Sequence, residues 1–250
     1  MSSGPILLGC AGWSLGREHW PAFPEQGTHL QRYGSRLGCV EINSSFYRPH
    51  RLQTYQRWAD SVPDDFRFSV KVPKQITHGL RLRECASLLD EFLSQCRGLD
   101  HKLGCLLVQL PPSLVFEEAT AQDFLIALRE RFAGPVALEP RHESWTRAEP
   151  LLLAQEITQV AVDPGRVSGD DDPRGARHVQ YWRLHGSPRI YHDAYGQARL
   201  EPLAAQLAQA AADGAEVWCI FDNTASGAAL ADLLILERLL QDRHASTTAR

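Results

Sequence analysis

The sequence predicts an α/β protein, a single (β/α)8 barrel in which parallel strands close on themselves inside a layer of outer helices. Three observations lead there. Short apolar runs alternate with longer amphipathic segments, the pattern of parallel strands joined by right-handed crossovers. The runs number eight, and 250 residues is a usual length for one eight-fold barrel. Almost every run also ends in a polar or charged residue, which a strand interior does not need and a shared polar site does. An open doubly wound sheet would satisfy the alternation too; the count of eight and the polar residues inside the strands favour closure.

Taken in order, strands are expected over 6–10, 39–43, 66–71, 104–109, 135–139, 158–163, 180–185 and 216–222. Helices are expected over 27–37, 51–61, 84–98, 119–132, 147–156, 200–213 and 226–241. In the last two, Leu203, Leu207 and Ala210, and then Leu230, Leu233, Leu234 and Leu240, keep helical spacing. Within the strands, Glu41 and Asn43, then Arg67, Ser69 and Lys71, then Arg183 and His185 alternate, so each set projects from one face, the barrel interior. Phe66, Phe68, Val70, Trp182 and Leu184 fall on the other face, under the helices. The connection 164–179 is rich in Gly, Asp and Arg and reads as a long loop, functional or mobile, with Asp170, Asp171 and Asp172 solvated in it. One domain is expected over 1–250, with a core over about 6–241 and a polar, frayed tail over 242–250.

Composition narrows the function classes. Hydrophobic residues make up 44% and charged residues 22%, as in ordinary globular chains. A formal charge of -4 gives no overall attraction to nucleic acid, which makes that partner unlikely without excluding a local basic groove. The start of the chain has no secretory pattern and no run has the apolar length of a membrane helix, so a cytoplasmic protein with no membrane partner is expected. Cys10, Cys39, Cys105 and Cys219 lie in strand-like runs and Cys85 and Cys96 in a helical one. With no CxxC pair, they read as small buried hydrophobes rather than zinc or redox ligands.

The candidate chemistry sits at the strand ends. Glu41, Glu139, Asp163 and Asp222 are carboxylates that, once brought together, need cations or shared protons. Lys71, Arg141 and Arg183 are candidate partners, either in structural ion pairs or at a site. His185, followed by Gly186, is the leading histidine: a general acid or base, a ligand for a divalent metal beside the carboxylates, or an imidazole satisfying a strand-end carbonyl. His78 either reaches the mouth or caps a turn, and His142 pairs with Glu139 or with a neighbouring loop. Trp13, Tyr47, Tyr191 and Tyr195 either wall a binding site or cover the core, while packing is favoured for Phe46 and Trp145.

Several segments together then show a resemblance. Glu41-Ile-Asn-Ser-Ser-Phe-Tyr-Arg48, Phe68-Ser-Val-Lys71 with Ile76-Thr-His78, Gln109-Leu-Pro-Pro112, Glu139-Pro-Arg-His142 with Trp145, Tyr181-Trp-Arg-Leu-His-Gly186 and Phe221-Asp-Asn-Thr224 resemble the DUF72 (YecE-like) family, in the same order. The resemblance implies a TIM-type barrel and a set of shared motif positions; it transfers no reaction. Pro140 stands where the family often has an aromatic residue, and Asp222, which adds a negative charge, where it often has Asn.

The function expected is an enzyme of hydrolase, isomerase or lyase type acting on a small polar, phosphorylated or sugar-like molecule at the C-terminal mouth. Glu139, His185, Asp163 and Lys71 would carry catalysis. Glu41, Asn43, Tyr47, His78, Gln109, Arg141, Arg183, Asn223 and Trp13 would bind substrate. The alternatives are a metal-dependent phosphodiester hydrolase acting on nucleic acid and a non-catalytic metabolite sensor.

Overall fold

The computed structural model describes residues 3–248. Its parallel strands alternate with helices as the apolar periodicity requires. The order is β1 (Ile6–Cys10), α1 (His29–Gly34), β2 (Cys39–Ile42), α2 (Ser44–Tyr47), α3 (Leu52–Asp60), β3 (Arg67–Lys71), α4 (Ala86–Cys96), β4 (Leu103–Gln109), α5 (Glu118–Arg129) and β5 (Val136–Glu139). It continues with α6 (Glu149–Ala154), β6 (Thr158–Gln159), β7 (Ala161–Asp163), β8 (Arg174–Gly175), β9 (Val179–Leu184), α7 (Gln197–Ala212), β10 (Glu216–Phe221) and α8 (Ala228–Thr248). A π-helical turn, Gln75–Gly79, follows β3, and short 3-10 turns precede α1 and α6.

The expected strands are all present, but not as one closed sheet. Their ladders form a four-stranded sheet in the order β1-β10-β9-β7 and a six-stranded sheet in the order β2-β3-β4-β5-β6-β8. All pairings are parallel except β6 with β8. The expected sixth strand is divided at Val160, so that β6 pairs with β5 while β7 pairs with β9. On the other side, β1 and β2 share a single bridge, Ala11 to Glu41. There the Tyr33 hydroxyl accepts from the Cys10 N–H and donates to the Cys39 carbonyl, both at 2.9 Å, in place of a ladder. Gly9 permits that approach, since a Cβ on it would lie 2.6 Å from the Cys39 carbonyl oxygen.

The pleat divides the core in two. Val40, Val70, Leu106, Val108, Leu138, Trp182, Leu184 and Phe221 pack outward against apolar helix faces. Cys39, Cys105, Leu107, Ala137, Val160, Val162, Tyr181, Trp218 and Ile220 form a separate cluster between the sheets. Along this inner face side chains change from apolar to charged toward the C-terminal strand ends. Tyr181 stacks on Trp218 (centroids 5.9 Å apart, 9° between planes), and its hydroxyl donates to Glu41 at 2.8 Å while lying 2.8 Å from the Ser69 hydroxyl, from which it accepts. All six cysteines are free and buried. Among the described residues, no helix is long and apolar enough to cross a membrane.

Two expectations about connections are corrected. Residues 164–179 are not wholly irregular: β8 pairs with β6, and Asp170 is buried, its Oδ2 accepting from the N–H groups of Arg166 (2.7 Å) and Val167 (2.8 Å). Burial raises the pKa of that carboxylate, and the two backbone donors offset this only in part. The C-terminal helix does not stop at Gln241 but runs to Thr248, with no Gly or Pro there to end it; residues 249–250 lie outside the described residues.

Candidate active site

Arg183 is the centre of the charged layer. It is fully buried, on the inner face of β9 two residues beyond Tyr181. Its Nε and Nη2 donate to the two carboxylate oxygens of Glu41 at 3.0 and 2.8 Å, Nη1 donates to Glu139 Oε2, and Nη2 also reaches Asp222 Oδ2 at 2.9 Å. Three carboxylates from β2, β5 and the end of β10 thus converge on one guanidinium, whose planar fork suits them. Burial opposes its charge, yet Glu41, Glu139 and Asp222 hold Arg183 protonated, far above its ordinary range.

Glu139 and Asp222 then position the remaining groups. Glu139 Oε1 accepts from Gln109 Nε2 at 2.8 Å and from Arg141 Nε at 2.9 Å. Gln109 lies opposite Glu139 in the β4–β5 register, so pairing of the strands alone brings the two side chains together. Burial works to raise the Glu139 pKa, but Arg183, His185 and Arg141 hold it well below the usual carboxylate range. Asp222 is lowered in the same way, against burial, by Arg183, His185 and Lys71. Asp222 Oδ2 lies 3.0 Å from His185 Nδ1. Burial works to lower the His185 pKa, and Glu139 with Asp222 reverses that and raises it.

This leaves donors without partners. His185 Nε2 lies 3.5 Å from Glu139 Oε1, too long for a well-formed hydrogen bond, and it and Arg141 Nη2 are buried with no hydrogen-bond partner among the described residues. Lys71 is only 6% exposed and has no carboxylate within ion-pair distance among the described residues; its ammonium lies 4.3 Å from the centre of the Phe46 ring. Burial, then Arg183, push its pKa down to about 8, against the pull of Glu41, Glu139 and Asp222. Tyr191, whose φ of 70° is unusual for a non-glycine residue, lies over this group. Its ring meets that of His185 edge-on at 5.6 Å, and together with Glu139 it holds Arg141 charged despite burial.

The structure therefore brings together Glu41, Lys71, Gln109, Glu139, Arg141, Arg183 and His185, with Asn43 at the edge donating to Asp222 at 3.4 Å. Other expected site residues lie elsewhere. Asp163 follows inward-facing Val162 and so turns outward, bonding Arg199 at 2.7 Å and, at 3.4 Å, the Tyr195 hydroxyl. Asn223 follows inward-facing Asp222 and bonds Asp232 (2.8 Å) and the Asp193 carbonyl (3.0 Å). Trp13 packs edge-on against Trp58 at 5.1 Å. Tyr47 is 77% exposed beside the mouth, and His78 meets Phe46 edge-on at 5.1 Å. His142 bonds Ser144 rather than Glu139, and Trp145 is core. Phe46, expected only to pack, also faces Lys71.

Sequence reasoning missed Asp232. Buried in α8, it accepts from the N–H groups of Tyr195 (3.1 and 3.0 Å) and Gly196 (3.3 Å), anchoring the loop that carries Tyr191. A lone Asp within an apolar helix run was the available signal. Among the described residues, no group of three or more His, Cys, Asp or Glu side chains is arranged to hold a metal. The carboxylates' oxygens are already taken by Arg183, Gln109 and Arg141.

Fold and site define an α/β protein of parallel strands with a buried charge cluster at the strand C-termini. The chain belongs to the DUF72 family, described as a protein of unknown function, whose model matches residues 7–250. It is similar to the UPF0759 protein YecE of Escherichia coli (strain K12), 35% identical over 107 residues that cover 42% of this chain and 38% of that protein. It is also similar to the UPF0759 protein YunF of Bacillus subtilis (strain 168), 26% identical over 146 residues covering 56% and 52%. The chain thus spans about two fifths to one half of the length of these curated relatives. Among solved structures, a DUF72 family protein from Enterococcus faecalis V583 has a TM-score of 0.80 at 22% identity, covering 95% of this chain and 96% of that one. One from Thermotoga maritima MSB8 has a TM-score of 0.77 at 24% identity, covering 94% and 99%. At such identities the likeness is one of fold.

Proposed function

We propose that this protein is an enzyme of the TIM-barrel type, its two sheets acting as one barrel, and that it performs acid–base chemistry on a small anionic, phosphorylated or sugar-like substrate. One observation carries this: beside the buried Glu139 carboxylate, Arg141 Nη2 and His185 Nε2 have no hydrogen-bonding partner among the described residues, and the buried Lys71 has no carboxylate within ion-pair distance there. Buried donors left without acceptors are costly, so a site that keeps two of them beside a lysine with no carboxylate partner is suited to an anion.

Arg183 and Glu41 form the fixed base of the site, and Glu139 positions Arg141 and Gln109. His185, held through Nδ1 by Asp222 and raised in pKa, offers its Nε2 proton as general acid. Lys71, poised at about 8, takes or gives a second proton close to neutral pH. Tyr191 covers the donors and moves aside as substrate enters, with Asp232 as the anchor of its loop. Asp163 takes no part.

Titration calorimetry with inorganic phosphate and a panel of sugar phosphates, followed by turnover assays on those that bind, tests the proposal. Arg141→Gln and His185→Gln should each weaken binding at least ten-fold, and His185→Gln should abolish turnover. Unchanged binding in both variants would remove the anion site. Tight binding without turnover across the panel would favour a metabolite sensor.

A further inference from the structure

Beside the mouth, a groove of about 470 Å³ runs between α2, the π-helical turn and α4. That is within the usual size of small-molecule sites. Its walls are largely apolar: Phe46, Tyr47, Pro49, Ile76, Leu88 and Phe92. Basic residues edge it, namely Arg48, Lys74 and His78, with Glu91 the one acid in its lining. Burial, then Lys71, Lys74 and Arg141 drive down the pKa of His78, which marks the groove's inner end as electropositive and leaves that imidazole neutral at pH 7.

Groove and mouth share a wall. The Phe46 ring meets the Lys71 ammonium at 4.3 Å and the His78 ring edge-on at 5.1 Å. Ser45, next to it on α2, donates to the Lys71 carbonyl at 2.7 Å, tying this wall to the end of β3. Tyr47 follows, edge-on to Phe46 at 5.0 Å and open to solvent, a ring available for stacking. An apolar groove and a set of cationic donors that meet across the Phe46 ring together complement a molecule apolar at one end and anionic at the other.

We propose that the groove is the second half of the ligand site and that the ligand is an aromatic anion. Its ring lies between Tyr47, Leu88 and Phe92, and its phosphate or carboxylate reaches Lys71, Arg141 and His185. This rests on the anion site proposed above and narrows its substrate class. The occupant is a small molecule, because the groove holds only about 470 Å³ and the donors on the far side of Phe46 are buried.

Calorimetry comparing inorganic phosphate, phenyl phosphate, 1-naphthyl phosphate and the neutral benzyl alcohol is decisive. The aryl phosphates should bind about 10- to 100-fold tighter than phosphate, as burial of one or two rings implies. Leu88→Trp, which fills the slot, should bring that ratio close to one. Tyr47→Ala, at an exposed position where folding is not at risk, should lower it several-fold. Equal affinities for phosphate and aryl phosphates would overturn the inference and leave the anion site standing; binding of neither would overturn both. A ratio insensitive to both variants, or benzyl alcohol binding as tightly as phenyl phosphate, would also overturn it.

Discussion

Replacing Lys71 by methionine separates a functional charge from a structural one. Lys71 is 6% exposed, and its pKa of about 8 lies below the ordinary lysine value of 10.5. A depressed lysine pKa means that the folded state resists the charge. Below pH 8 the lysine is protonated in both folded and unfolded chains and the full cost is present; between pH 8 and 10.5 the folded chain releases its proton first, so the cost declines as pH rises. At about 1.4 kcal/mol per pKa unit, the cost at neutral pH is about 2–3 kcal/mol after allowance for residual solvation. Methionine keeps the chain length and packs against Phe46. Lys71→Met should therefore raise Tm by about 4–10 °C at pH 7 for a chain of this size. The gain should shrink above pH 8, while phosphate affinity falls at least ten-fold. Thermal melts of both proteins from pH 6 to 10, with calorimetry alongside, provide the check. A lower Tm in the variant would refute the reasoning, because Lys71 would then be the counter-ion that the carboxylates require.

Glu139→Gln leaves Arg183 and Arg141 short of a carboxylate and should cost about 3–5 kcal/mol in urea unfolding; a loss under 1 kcal/mol would mean that the network relaxes freely. Because Glu139 and Asp222 are lowered in the folded state, their stabilisation is present above about pH 4 and is lost as pH falls through their folded values. Acid melts of the Glu139→Gln variant should show a shallower decline than wild type. Asp222→Asn should lower the His185 pKa, visible by NMR titration of its ring protons; the raised value gives His185 stabilisation that is present below 6.5 and lost as pH rises through the folded pKa. Tyr33→Phe removes the acceptor for Cys10 N–H and the donor to the Cys39 carbonyl, and should cost about 1–3 kcal/mol, with faster amide exchange at Cys10; no change there would mean that the β1–β2 seam does not depend on that hydroxyl.

Much of the site was legible because it follows a simple period. Glu41, Lys71, Gln109, Glu139, Arg183 and His185 stand at the ends of apolar strands, and alternation from buried neighbours such as Tyr181 puts the last two on one face. The same reasoning failed at Asp163 and Asn223. In Ala161-Val162-Asp163 two consecutive apolar residues leave the facing ambiguous, and a place at the strand end does not by itself point a side chain into the site. Asn223 is one residue past inward-facing Asp222, so the pleat turns it toward Asp232. Asp170 looked like one more acid in a polar run, since only a folded loop shows which carboxylate meets backbone donors.

The sequence by itself determined the parallel α/β order, the strand positions within one or two residues, and the end of the sheets where charge collects. Those properties follow from local periodicity, which each segment carries in its own residues. Tertiary structure decided that Arg183 gathers Glu41, Glu139 and Asp222. It also decided that the ladders split at Val160 and between β1 and β2, and that Tyr191 lies over His185. These depend on strand register and on contacts between residues as distant in sequence as Glu41 and Arg183, 142 positions apart. Charges at such separations meet only once burial of the apolar faces has fixed the strands beside one another.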